Sequence, residues 1–415
     1  MSKIIEAGDV LIKRFTLSNK SISAEVNPID QLLGADIWED VTKPTMYAEF
    51  IFNDNINLLK NFPIIGEEEI TIEIQTPGIA KPTLFKFRIF EIANVVKDPN
   101  GKGTTYMLRC VSKEHLLAGS SAIKESYTDI ISNMVPIILS HVIGTDKALN
   151  IDPTKGIQTI AFSRQNPLKA IDMIRQRAVS KDYTASAYVF FENQAGFNFK
   201  TIEGLMKDSR PNIGSRTFNV QQNTMGSKEA QANAFRTIKR FESISRSDSN
   251  KKTNSGIYKA VTKTFDLNTK SVGTQDFSLK DAFSSFEKTT TGKAQIPNTD
   301  DFINNFGSSI PKQFFTLKDT TRPDNFIDTA ISIRNSFAVL LNSDITRVLI
   351  HGDSGLKAGD MIQLNFPTPE GTTGKKKEDT QLSGNYLIIR LRHIITPSTK
   401  NKHEIAFDCV KMGIA

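Results

Sequence analysis

Phe85-Lys-Phe-Arg-Ile-Phe-Glu-Ile-Ala-Asn-Val-Val96, a polar turn and Tyr106-Met-Leu-Arg-Cys-Val111 return near the end of the chain as Asn385-Tyr-Leu-Ile-Ile-Arg-Leu-Arg-His-Ile-Ile395, a polar turn and Ile405-Ala-Phe-Asp-Cys-Val410. A third segment precedes each pair: Gly66-Glu-Glu-Glu-Ile-Thr-Ile-Glu-Ile-Gln-Thr-Pro77 in the first block, Gly359-Asp-Met-Ile-Gln-Leu-Asn-Phe-Pro-Thr-Pro369 in the second. The two cysteines stand 299 residues apart (409 − 110). At that constant offset Ile89 falls on Ile388, Ile92 on Leu391, Val95 and Val96 on Ile394 and Ile395, and Leu108 on Phe407, with no gap. Alternating apolar positions kept in register mark half-buried strands, because a one-residue slip would turn every side chain to the wrong face. Any two three-stranded meanders can be slid into some register, but the shared Gly-acidic start, Thr-Pro end and Cys-Val favour an internal duplication.

The 415 residues suffice for two or three domains, and 39% apolar with 23% charged residues is the composition of ordinary soluble globular protein. The N-terminus, Met1-Ser-Lys-Ile-Ile-Glu-Ala-Gly-Asp9, has no apolar stretch long enough for a signal peptide. No window approaches the length of a membrane-spanning helix, so no membrane anchor is expected and synthesis in a cytoplasm is. Cys110 and Cys409 alternate with strand residues outside any Cys-x-x-Cys, which predicts small buried hydrophobes kept reduced.

The 52 basic and 45 acidic residues give a net charge of +7, spread along the chain rather than gathered in one stripe. The densest run, Lys375-Lys-Lys-Glu-Asp379, lies near Gly371, Gly374 and Gly384 between two strands of the second block. It reads as a solvated hairpin tip. Gly371-Thr-Thr-Gly-Lys375 lacks the four-residue gap and the Ser/Thr of a phosphate loop.

Strand patterns at Val10–Val26 and Ala48–Phe52, and short helical or turn segments at Pro28–Gly34 and Asn55–Phe62, join the first block into a β domain over 1–112. An α+β middle domain follows over 113–210. Within it Glu125–Val142 suits an amphipathic helix interrupted at Pro136. Asn166-Pro167 places a capping side chain before a proline at the first helical position, which predicts a helix from Pro167 to about Ser180. Tyr188–Phe191 and Phe197–Ile202 around Asn193-Gln-Ala-Gly196 read as a hairpin whose aromatics pack on that helix. The stretch 211–320, rich in Ser, Thr, Asn, Lys and Asp from Gln221 to Pro311, reads as an arm or insertion of peripheral strands and loops. A helix over Phe326–Ala338 and a strand over Asp344–Ile350 then lead into a second β domain over 321–415. The fold class is therefore mainly β with an α+β middle domain and two similar antiparallel units.

Several strings imitate active sites. Gly352-Asp-Ser-Gly355 resembles a serine-protease nucleophile segment, but Leu356 replaces the next glycine, and neither His115 nor His141 has a triad-like setting. A turn fits better, with Gly352, Gly355 and Gly359 supplying positive φ and Asp353 and Ser354 capping it. His403-Glu404 begins like a zinc-protease helix, but Phe407 stands where the second histidine belongs. The five histidines are dispersed, so no ligand cluster has usable spacing. Glu67, Glu68 and Glu69 mark a solvated strand start rather than a glycosidase pair. Neither catalytic residue, metal nor cofactor is expected, and the chain is read as no enzyme.

In this order, Phe62-Pro-Ile-Ile-Gly-Glu-Glu68, Tyr106-Met-Leu-Arg-Cys-Val-Ser-Lys-Glu114, Asn166-Pro-Leu-Lys-Ala-Ile-Asp172, Tyr188-Val-Phe-Phe-Glu-Asn193, Gly196-Phe-Asn-Phe-Lys200, Gly352-Asp-Ser-Gly-Leu-Lys-Ala-Gly-Asp360 and Ser383-Gly-Asn-Tyr-Leu387 resemble the central baseplate hub protein of contractile-tailed bacteriophages. That family is related to the hub portion of type VI secretion spike proteins, and the resemblance covers most of the chain. It implies two tail-tube-like β-barrels per chain and a homotrimer presenting six barrels around a channel. Its partners would be a central spike protein, a tail-tube or tube-initiator protein and the baseplate wedge proteins, with DNA passing only transiently. The location implied is the virion tail baseplate, after assembly in the host cytoplasm. Intersubunit contacts are expected on the strands carrying Ile70, Ile72 and Ile74 and Met361, Ile362, Leu364 and Phe366. Two other readings stay open: the hub of a non-phage contractile injection system, and a nucleic-acid-binding module. The second would need stacking aromatics beside clustered cations, and the blocks offer only Arg390, Arg392 and the Lys375 loop.

Overall fold

A computed structural model describes residues 6–412 apart from 20–22, 63, 67, 80, 100–102, 221–233, 246–258, 283–284, 290–311, 319–326, 341–343, 369–378 and 380. Glu67, Gly371, Gly374, the Lys375–Glu378 run and much of the Gln221–Pro311 stretch lie outside these residues.

Seven strands build the first unit: β1 (Leu11–Asn19), β2 (Ala24–Val26), β3 (Leu32–Asp40), β4 (Tyr47–Asp54), β5 (Glu69–Gln75), β6 (Thr83–Lys97) and β7 (Thr104–Val111). Where a helix or turn was expected over Pro28–Gly34, only Ile29–Gln31 makes a single tight turn and the chain then enters β3. The reason is the period of two in Ala35, Ile37, Glu39 and Val41, all buried on one face. The six main strands pair in the order β1-β5-β6-β7-β4-β3, with β2 on the outer edge of β1. Phe15, Leu17, Phe50, Phe52, Phe87, Ile89, Leu108 and Cys110 fill the interior.

The middle domain carries β8 (Ser126–Ile130), β9 (Leu149–Ile151), β10 (Thr154–Lys155), β11 (Ile157–Ala161), β12 (Val179–Ser180), β13 (Tyr188–Asn193) and β14 (Gly196–Thr201). The helix expected over Glu125–Val142 is a strand in its first third: β8 pairs with β11, and the helix starts only at Ile131. It runs Ile131–Ile137 with Pro136 inside and widens over Ile138–Ile143. The capped helix spans Pro167–Arg175, with Asn166 Oδ1 accepting from the amides of Leu168 (3.0 Å) and Lys169 (3.2 Å). It ends before Ser180 because Val179 and Ser180 are drawn into a ladder with β10. The β13–β14 hairpin turns through Gln194 and Ala195, and its Tyr188, Phe190, Phe197 and Phe199 share a core with Leu168, Ile171 and Ile174.

The second unit begins earlier than the second sequence block. Residues read above as part of an arm supply β15 (Thr217–Val220) and β16 (Thr237–Ser245). Farther along, β17 (Lys259–Asp266), β18 (Val272–Ser278) and β19 (Lys312–Lys318) form a separate three-stranded sheet. The helix Ile327–Leu340 is tied to it through Ser332 and Thr262, whose hydroxyls lie 2.6 Å apart. The chain closes with β20 (Ile345–His351), β21 (Met361–Asn365), β22 (Gly384–Thr396) and β23 (Lys402–Val410).

The six strands β15-β21-β22-β23-β20-β16 pair in that order and close by a parallel β15–β16 ladder, making a complete barrel around Val348, Ile350, Ile388, Leu391, Ile405, Phe407 and Cys409. The order repeats that of the first unit, except that β15 runs parallel to β21 where β1 runs antiparallel to β5, so the second unit is not antiparallel throughout as expected. Among the described residues no ladder joins β1 to β3, so only the second barrel is closed by hydrogen bonds. Registers repeat too: Ile89 faces Cys110 and Ile92 faces Leu108, as Ile388 faces Cys409 and Leu391 faces Phe407. Both β6 and β22 carry a bulge at the same place, between Ile89 and Glu91 and between Ile388 and Arg390. The constant offset fails past Ala93, where β6 has a second bulge at Asn94, a residue with φ of 52°. Val96 therefore faces Thr105 and takes the place of Ile394, which faces Glu404, so Val95 and Val96 do not fall on Ile394 and Ile395. Among the described residues no helix is long and apolar enough to cross a membrane.

Candidate assembly surfaces

The seven residues expected at subunit contacts are all buried in their own barrels: Ile70, Ile72 and Ile74 in the first core, Ile362, Leu364 and Phe366 in the second, Met361 in the cluster beneath the middle domain. Their strands are also flanked on both sides, β5 by β1 and β6, β21 by β15 and β22. The apolar alternation that singled them out is the signature of a face turned to the core. Another copy of the chain cannot reach these side chains without opening a barrel.

The contact surface that the structure does display is the junction between the two barrels. It is a strand pair, β3 against β22, with Asp40 beside Arg390, Trp38 beside Arg392, Asp36 beside Ile394 and Ala35 beside Ile395. It joins both units into one continuous sheet of thirteen strands. Arg392 donates to both oxygens of Asp36, at 3.0 and 2.8 Å, and its guanidinium lies 5.1 Å from the Trp38 ring. Arg390 reaches Asp40 at 3.3 Å. Bidentate pairing and ring stacking both reward arginine over lysine at such a seam.

Beneath the seam, Glu39 is fully buried and accepts from the amides of Ala358 (2.7 Å) and Gln194 (2.8 Å), so one carboxyl group ties the first barrel to the second and to the middle hairpin. Burial pushes its pKa up to about 8, and the nearby Asp360 carboxylate adds to the rise. A second buried group stands where the first barrel meets the middle domain. Lys147 bridges Glu114 (2.7 Å) and Glu192 (2.5 Å), and Glu192 also accepts from the Ser112 hydroxyl and the Met46 amide. Burial raises the Glu192 carboxyl, while its two acid partners hold the lysine charged. Glu39 and Lys147 were not singled out in the sequence, and Glu114 and Glu192 stood there only as members of quoted strings. The available signal was a carboxylate in the buried phase of a strand, as in Ile37-Trp-Glu-Asp-Val41, where Glu39 falls in step with Ile37 and Val41.

The Gly352–Gly355 loop is a clamp between barrels. Ser354 is buried, its amide donates to Thr76 Oγ1 (2.8 Å), its hydroxyl accepts from the Thr76 amide (3.0 Å), and its carbonyl accepts from Thr83 (2.7 Å). Asp353 caps the turn by accepting from the Gly355 amide. Of the three glycines only Gly359 has positive φ, at 90°. Gly352 is required for a different reason: a Cβ there would stand 2.2 Å from the His403 ring. His403 in turn lies 3.0 Å from His393, both fully buried, and burial holds both well below the ordinary imidazole value, His403 at about 3. Among the described residues no group of three or more His, Cys, Asp or Glu could hold a metal ion. His115 Nδ1 lies 3.1 Å from the Thr45 hydroxyl.

The outer faces of the barrels differ in charge at matched positions. On β4, β7 and β6 the triplet is Glu49, Arg109 and Glu91, the arginine 3.4 and 2.9 Å from its two acids. On β20, β23 and β22 it is Arg347, Asp408 and Arg390, the acid 2.7 and 3.6 Å from its two arginines. The signs are inverted, so two barrels of one pairing order present different surfaces.

No protein-family model matches the chain, and no curated protein matches it. Solved structures do. Over 96% of this chain and 97% of the other, it superposes on a tail protein from Neisseria meningitidis MC58 with a TM-score of 0.55 at 9% identity. Over 97% and 99% it superposes on the 43 kDa tail protein of prophage MuSo2 from Shewanella oneidensis with a TM-score of 0.56 at 8% identity. The chain has the fold of these tail proteins. End-to-end coverage of both partners means that the likeness takes in the barrels and the middle domain together, not a common barrel alone.

Proposed function

We propose that the chain is a structural baseplate hub of a phage tail, three copies of which form a ring of six barrels that joins a hexameric tail tube to a trimeric central spike. The observation that carries this reading is the repetition of one six-stranded pairing order in both halves of the chain, fused edge to edge by β3 and β22. A closed ring of three copies needs a head-to-tail contact whose rotation closes, and a chain holding two pseudo-equivalent barrels lets three copies satisfy threefold and sixfold neighbours at once. The inverted charge triplets fit that task, since the six positions of such a ring are alike in shape yet alternate in surface. Partners would be the spike, the first tube ring and the surrounding wedge proteins, the ring lying in the tail of the virion and letting DNA pass without binding it tightly. The proposed role is mechanical and includes no catalysis. Light scattering tests it: the purified chain should weigh three times 46.2 kDa and take up three spike chains from the same genome. A monomer that ignores the spike and shifts on single-stranded nucleic acid would overturn it.

A further inference from the structure

The junction inside the chain predicts the junction between chains. By pairing order β22 corresponds to β6 and β3 corresponds to β16. The registers make the match residue by residue, because Ala35 and Asp36 face Phe50 and Glu49 on β4 as Phe241 and Glu242 face Val348 and Arg347 on β20. Even the irregularity between Leu32 and Gly34 recurs between Ile238 and Arg240.

Within the chain, the β3–β22 seam buries Ala35, Ile37, Glu39, Leu391, His393 and Ile395. Among the described residues the corresponding edges elsewhere carry no second ladder. Beyond Ile89, whose amide donates to the Glu68 carbonyl, β6 pairs only with β7, and beyond Ile238, β16 pairs only with β20, among the described residues. Every residue from Asn94 to Lys97 and from Lys239 to Ile244 is exposed. Among polar and charged neighbours these edges carry exposed apolar side chains: Val95 is 49% and Val96 64% exposed on one, Phe241, packed in part on Phe366, 42% and Ile244 45% on the other. Long open edges with apolar side chains are what a second strand covers.

We propose that residues 240–244 of one copy pair antiparallel with residues 93–97 of a second copy, with Glu242 beside Val96 and Phe241 beside Lys97, in repetition of Asp36 beside Ile394 and Ala35 beside Ile395. The occupant is a second copy of this chain because the edge that fits β6 is built on the same chain, at the other end of the same pseudo-symmetric unit. The pairing is head to tail, so it propagates until the ring closes, and it rests on the hub reading above for closure at three copies. The strand edges supply the backbone bonds, and Val95, Val96, Phe241 and Ile244 supply the apolar burial that the buried core of the β3–β22 seam supplies within the chain.

A disulfide tests the register. Residues directly opposite in an antiparallel pair have Cα atoms about 4.5–5.5 Å apart, within reach of a disulfide. The full-length double variant Glu242→Cys, Val96→Cys, oxidised with glutathione disulfide, should give covalent two- and three-chain species on a non-reducing gel. A control pair on another face, Glu242→Cys with Lys169→Cys, should give none, and native Cys110 and Cys409 are buried. Both substituted positions are exposed, so folding is retained. A particle of three chains by light scattering without cross-linking would overturn this pairing and leave the hub reading standing. Cross-linking that stops at two chains would uphold the pairing and contradict the ring, and an uncross-linked monomer would contradict both.

Discussion

Ile72 and Leu364 stand at the centres of their barrels with no exposed surface, so truncation removes packing and leaves a void. Ile72→Ala and Leu364→Ala should each cost about 2–5 kcal/mol in denaturant unfolding, with the mass of the assembled particle unchanged. Loss of assembly at full stability would return these residues to the subunit contact. Glu39 gives a signed pH effect. Its folded value of about 8 lies above the ordinary 4.5, so between those limits the folded chain holds a proton that the unfolded chain has released. That contribution is complete below about pH 4.5 and is lost as the pH rises through 8. The thermal midpoint should therefore fall between pH 5 and pH 9, and Glu39→Gln, with nothing to titrate there, should fall less. An equal slope in both would mean that Glu39 is ionised in the fold. Sequence made the core residues legible because alternation reports burial. It left Glu39, Glu192 and Lys147 illegible, because whether a buried acid or amine finds its partners depends on residues 45 to 155 positions away.

At the scale of elements, the strands of both duplicated blocks and the Asn166 cap were legible because period-two alternation and cap chemistry are local. The strand β8 and the shorter capped helix were not, since each was decided by a partner strand. The bulge at Asn94 was hidden for the same reason: an extra residue on an open edge leaves no mark in the apolar pattern. The matched charge triplets make opposite demands. Asp408 is nearly buried and accepts two bonds from Arg347, so Asp408→Asn leaves two arginines side by side and should cost about 1–2 kcal/mol. Arg109 is half-exposed between two accessible acids, and Arg109→Met should cost less than about 1 kcal/mol. Urea unfolding of the two variants measures the difference, and equal losses would contradict the asymmetry of the two faces.

At the scale of the whole molecule, the duplication was legible from one constant offset, but the closure of the second barrel was not. Its strands β15 and β16 come from a polar stretch that lacks the apolar alternation of the blocks, and they are placed by pairing with β21 and β20. The tail-protein fold follows from the arrangement as a whole, and the proposed symmetry-adaptor role rests on the doubling of one barrel. The most direct measurement is electron microscopy of the purified full-length chain, averaged over end-on views. The account predicts a closed ring with threefold symmetry and six similar lobes around a central channel. Two-lobed single chains, or a closed ring with any other number of lobes, would contradict it.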